Sequence, residues 1–186
     1  MRIARIKYAC VFLVTILLIP VTAQERREIP RVSAEMLQGQ RLVDKEFGAS
    51  VLAPDNWVWV QLPQESPDIR SFGATNPIGL GYAVSLFRRM KFNWTHKDVE
   101  DLQVGMARKL EESGFKVNRR VFEQSSVPFP DSYRFVWTIV QPDGNRRFRF
   151  GYVGHFAQHG ITLTCIGPDE REPHDFTSFV RSATLF

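Results

Sequence analysis

The sequence predicts an α+β fold: a single antiparallel β-sheet flanked by one central helix and one C-terminal helix, in an α/β/α sandwich. Three observations predict it. Two apolar alternations (Tyr133, Phe135, Trp137, Ile139 and then Phe148, Phe150, Tyr152) are joined by the turn-forming string Pro142-Asp143-Gly144-Asn145. An amphipathic stretch over residues 95–113 precedes them. A shorter stripe of Phe176, Phe179, Val180 and Ala183 follows them. Successive side chains in a strand point to opposite faces, so the two alternations predict one aromatic face and one basic face carrying Arg134, Arg147 and Arg149.

Residues 1–23 read as a secretory leader. Arg2, Arg5 and Lys7 form a basic start, residues 8–19 are almost unbroken apolar, and Val21-Thr22-Ala23 suits cleavage. The apolar run of 12 residues is shorter than the ~20 a spanning helix needs, so no stable membrane span is expected once the leader is removed. Export predicts a periplasmic or secreted location. The 24 Lys and Arg stand against 20 Asp and Glu, but three basic residues leave with the leader, so 21 remain against 20. That balance lacks the concentrated positive charge of a nucleic-acid-binding domain. Cys10 leaves as well, and the remaining Cys165 has no partner for an internal disulfide. Its parity with Ile161 and Leu163 predicts a buried, inert thiol.

Residues 24–39 are polar and aperiodic, and are expected to form a flexible lead-in to a domain over residues 40–186. Residues 36–46 fit either a helical turn or an edge strand through Arg41-Leu42-Val43. Strands are predicted over 47–52 and 57–62, separated by Pro54-Asp55-Asn56. Residues 64–79 hold Pro67, Gly73, Pro77 and Gly79 and predict a long loop. A strand over 80–86 comes next, with Arg88, Arg89 and Lys91 leading into solvent.

The central helix has Thr95 as N-cap and Asp98 as its capping-box partner. Val99, Leu102, Met106 and Leu110 form its apolar stripe, and Gly114 closes it. Gly105 predicts a close approach to a strand. Strands are then expected from 115 to 123, 133 to 141, 146 to 156 and 161 to 166. Pro173 and the acidic residues around it open the C-terminal helix.

Chemistry-bearing residues are sparse. His155 and His159 flank a tight turn and could share a metal with His174, Asp169 or Glu170, but no zinc-ligand spacing is present and no metal or cofactor is expected. Cys165 and His155 fall on opposite predicted faces, which disfavours a nucleophile–base pair. Arg134, Arg147 and Arg149, together with His155, Thr162 and Thr164, form a candidate partner surface on the basic face. The alternative is an ordinary solvated face, or one covered by the terminal helix.

Phe47-Gly48 leading to Pro54-Asp55-Asn56-Trp57, the helix after the strand at Leu80, and the closing string from Phe176 through Ala183 resemble the PsbP-like fold, which the DcrB-like proteins share. The resemblance covers residues 40–186. It implies a non-enzymatic role, because members of that fold are mostly extrinsic subunits, assembly factors and chaperone-like modules. The leading expectation is therefore an exported binding or accessory protein with a protein partner in the cell envelope. The alternatives are an extracytoplasmic hydrolase or metal-dependent enzyme using His155, His159 and Cys165, and a carrier of a small apolar ligand behind Trp137 and Phe150.

Overall fold

A computed structural model describes residues 31–64, 66–76, 81–88 and 95–186. The leader, Leu80, Arg89, Lys91 and Trp94 lie outside the described residues.

The architecture is α+β and antiparallel, with a correction to the expected single sheet: there are two. The smaller comprises β1 (Leu37–Gln38), β2 (Arg41–Asp44), β3 (Ala49–Leu52) and β11 (Thr184–Leu185), side by side in that order. The larger comprises β4 (Val58–Gln61), β5 (Ile69–Thr75), β6 (Gly81–Phe87), β7 (Lys116–Ser125), β8 (Ser132–Val140), β9 (Arg146–Phe156) and β10 (His159–Gly167). Its order is β4-β5-β6-β10-β9-β8-β7, so β7 ends the sheet.

The small sheet begins inside the segment expected to be a flexible lead-in. Arg31 bridges Val60, Val32 is buried, and residues 34–36 form a helical turn before β1. Apolar Val32 and Leu37 join the core, and that anchors the stretch. The β2–β3 turn is held by Asp44, whose carboxylate accepts the backbone N–H groups of Glu46 and Phe47 at 3.1 Å each. Gly48 sits at φ +60°, and a Cβ there would fall 2.4 Å from the carbonyl oxygen of Phe186.

Strand β5 replaces the middle of the loop expected over 64–79, of which residues 65 and 77–79 lie outside the described residues. Its burial on both faces removes the alternation that marks a half-exposed strand. The small residues Ser71, Gly73 and Ala74 disguise it further. A Cβ on Gly73 would lie 3.0 Å from Val60, so glycine here lets β4 approach.

The largest departure concerns faces. A four-residue turn over 142–145 would pair Gln141 with Arg146 and put both aromatic runs on one side. Instead Gly144 N–H donates to the Gln141 carbonyl at 2.9 Å, Gln141 N–H donates to Asn145 O at 2.8 Å, and Gly144 adopts φ +86°. That is a three-residue loop closed by a left-handed glycine. It pairs Trp137 with Arg149 and Val136 with Phe150. A slip of one residue exchanges the faces of a whole strand. Phe135, Trp137 and Ile139 therefore face one way, and Phe148, Phe150 and Tyr152 the other.

Each face has its own helix. Helix α1 (His96–Glu112) has the expected capping box between Thr95 and Asp98 and lays Val99, Met106, Ala107 and Leu110 on the Phe135–Trp137 side. Helix α2 (His174–Arg181) sets Phe176, Phe179 and Val180 on the opposite side, against Tyr82 and Tyr152, where the small sheet completes the cover. Gly105 meets nothing within 4 Å of its would-be Cβ, so the expected strand contact is absent.

Candidate functional site

The six residues expected to form a partner surface are divided by this register. Arg147, Arg149, His155, Thr162 and Thr164 share the α1 side of the sheet, and Arg134 points to the α2 side. Arg149, Thr162 and Thr164 are fully buried, so they offer no contact surface. The central helix, not the terminal one, is the helix on their side of the sheet. The Arg149 guanidinium lies 5.2 Å from the Trp137 ring centre and 5.8 Å from that of Phe135, so the charge is packed among aromatic faces. Arg147 and His155 remain half-buried.

Arg134 is tied down by carboxylates. It donates to Glu172 through Nε at 3.2 Å and to Glu123 through Nη1 at 3.1 Å. Glu172 also accepts from the Tyr152 hydroxyl and from Thr177 Oγ1, each at 3.1 Å. This clasp joins β8, β9 and the start of α2. Burial, reinforced by Glu172, pushes the Tyr152 phenol up to about 12. The clasp is a structural tie: every polar group in it already has a protein partner.

The histidines do not converge. His155 pairs with Gly160 and His159 with Phe156, so the two imidazoles project to opposite sides of the sheet. His174 is almost wholly exposed beside Asp175. Among the described residues no three His, Cys, Asp or Glu side chains are grouped as metal ligands would be. Cys165 is buried on the α2 side, away from His155, and burial pushes its thiol far above the ordinary range.

A cleft of about 250 Å³ lies between α1 and β7. Gln103 and Trp137, both buried, line it, with Phe122 and Val121 beside them and Glu100 and Arg119 exposed at its margin. The register of β7 shifts between Arg119 and Val121, making Arg120 the additional residue of a bulge. Bulges re-aim side chains and are frequent beside functional sites. Here Arg120 turns toward the α2 side, pairing with Glu170 at 2.9 Å over the Phe148 ring, and Arg119 stays on the α1 side with Trp137. A second cleft of the same size, lined by Asn118, Thr138, Arg146 and Phe148, lies on the α2 side and holds that pair.

Sequence reasoning passed over Gln103 and Arg119. A signal for Gln103 was present: it is four residues after Val99 and three before Met106, a polar residue on the buried stripe of α1. Arg119 pairs in register with Trp137 ahead of the bulge, and nothing in the sequence of its own strand marks it out.

No family model matches the sequence, and no curated protein is matched by it. Among solved structures the chain is similar to the solution structure of cyanobacterial PsbP (CyanoP) from Synechocystis sp. PCC 6803. The TM-score is 0.60 at 15% identity, over 79% of this chain and 92% of that one. A crystal structure from Bacteroides thetaiotaomicron VPI-5482 gives a TM-score of 0.50 at 11% identity, over 81% of this chain and 49% of that one. The chain has the PsbP-like fold. Among the described residues no helix is long and apolar enough to cross a membrane.

Proposed function

We propose that this protein is an exported, non-enzymatic accessory protein that binds a protein partner in the cell envelope. The observation that carries the reading is the fold it shares with CyanoP along most of both chains. The leader-like residues 1–23 support export. The placement of His155 and His159 on opposite faces, and of Cys165 in the core with an unreactive thiol, weighs against the hydrolase alternative. Trp137 and Phe150 also face opposite sides of the sheet and are fully buried, which weighs against an apolar carrier built behind both.

The test is affinity capture of the exported, tagged protein from its own envelope fraction after brief crosslinking. One partner recovered reproducibly, at comparable yield with wild type and with His155→Ala and His159→Ala, is the expected result. Recovery of no specific partner, or hydrolytic or metal-dependent activity abolished by either substitution, overturns the reading.

A further inference from the structure

Buried polar atoms in folded proteins almost always have hydrogen-bond partners, and an exception calls for a reason. Here the two faces of the large sheet differ. On the inner side of α1, Gln103 is buried at 2% exposure, and among the described residues neither Nε2 nor Oε1 has a hydrogen-bond partner. Thr162, on the same side of the sheet, keeps its Oγ1 buried and without a partner. Arg149 adds a buried charge to that side, set against the Trp137 and Phe135 rings. On the opposite side His159 leaves Nδ1 unmet.

This asymmetry bears on how firmly each helix is held. The Gln103 amide is hydrated whenever α1 stands away from the sheet, and on closure it gives up that water without gaining a partner. A leucine in the same position would close at no such cost. Two further features weaken the hold. Gly105, in mid-helix with open space around it, adds no contact and lowers helix propensity. The flank of α1 stands off β7 across the cleft of about 250 Å³, so part of its inner edge has no side chain to pack on. Helix α2 is built otherwise. Its buried residues Phe176, Phe179 and Val180 are all apolar, the two phenyl rings lie against Tyr82 and Tyr152, and Thr177 joins the Glu172 clasp.

Stability is not uniform across a folded domain, and segments open separately where their docking is weakest. We infer that α1 is a lid: it leaves the sheet as a unit while the seven-stranded sheet and α2 stay closed. Its departure uncovers the row of Phe135, Trp137 and Ile139 together with Arg149, all of them buried in the closed form. The inference goes beyond the accessory-protein reading and does not depend on it, since capture of a partner bears on that reading alone.

The test is native-state hydrogen exchange, followed by NMR on the nitrogen-15-labelled protein at several urea concentrations below the unfolding transition. In wild type the hydrogen-bonded amides of α1 exchange through one shared opening, on the order of tenfold or more faster than those of β9 and β10 once intrinsic rates are divided out. Their urea dependence is shallower than that of global unfolding, because less surface is exposed. The Trp137 indole N–H reports the same opening, and the amides of α2 exchange more slowly than those of α1. Gln103→Leu slows exchange throughout α1 on the order of tenfold, since it removes the unmet amide from the closed form. Gly105→Ala slows it about two- to fivefold. That position is exposed, so this variant keeps the fold and the test stands on it alone. The inference is overturned by α1 amides as well protected as those of β9 and β10, by release of α2 before α1, or by α1 exchange that is unchanged or faster in either variant.

Discussion

Glu172 shows how much a single side chain can gather. Its donors Arg134 and Tyr152 lie 38 and 20 residues away in sequence, and Thr177 lies 5 away in the terminal helix. Ionising Tyr152 would leave a charge in a half-dry setting and set it against that carboxylate as well, so the folded state holds the phenol protonated up to about pH 12. The unfolded chain releases the same proton near pH 10. The stabilisation is thus fully present below about pH 10 and is lost as pH rises toward about 12. Tyr152→Phe is expected to flatten the fall in unfolding free energy across that window, measured by urea unfolding at stepped pH. Tyr82, whose phenol burial also raises, retains part of the slope. Sequence could place Cys165 in the core, because parity with Ile161 and Leu163 is a local property. It could not find the Glu172 clasp, whose members meet only after β8, β9 and α2 have docked.

Helix α1 was legible almost to the residue because its signals are local. Thr95 N–H donates to Asp98 Oδ2 at 3.0 Å, Asp98 N–H returns to Thr95 Oγ1 at 3.3 Å, and Phe115 N–H closes on the Leu110 carbonyl past Gly114. Gly105 is the one expense in this helix without a structural return, being exposed with open space around it. Gly105→Ala is expected to stabilise the protein by about 0.5–1 kcal/mol, read from chemical unfolding midpoints. A loss of stability would reveal a contact at that site. The β8–β9 hairpin was legible as a hairpin but not in its register. Asp143 accepts both the Asn145 backbone N–H and its side-chain amide, which hold its carboxyl below the usual range and settle the tight loop. One residue in that loop decides which helix each aromatic run meets. It also decides that Arg149 lies under α1 with Trp137 and not on an outer surface.

Over the whole molecule, the sequence offered strands near 41–43 and 47–52 but concealed that they belong to a sheet of their own. That sheet is assembled from residues 37–52 and from 184–185, in strands of two to four residues too short to carry a period. A network of charges fastens it to the large sheet. Asp44, buried at its carboxylate, pairs with Arg70 of β5 at 2.7 Å, Glu46 bridges Arg70 and Arg88, and both guanidiniums lie over the Phe47 ring. Asp44→Ala removes the turn acceptor and leaves Arg70 short of a counter-charge, an expected loss of about 2–3 kcal/mol in thermal or urea unfolding. A change within about 0.5 kcal/mol, ordinary for a surface site, would show that the two sheets hold together without it. The bulge at Arg120 acts at this scale too, on encounters between copies. Strand β7 offers ten residues at the end of a seven-stranded sheet, and an uninterrupted edge of that length would template the stacking of one molecule on the next. The inserted arginine divides it into two short runs that share no common repeat. The bulge leaves β7 a poorer template for edge-to-edge pairing than an unbroken strand of the same length.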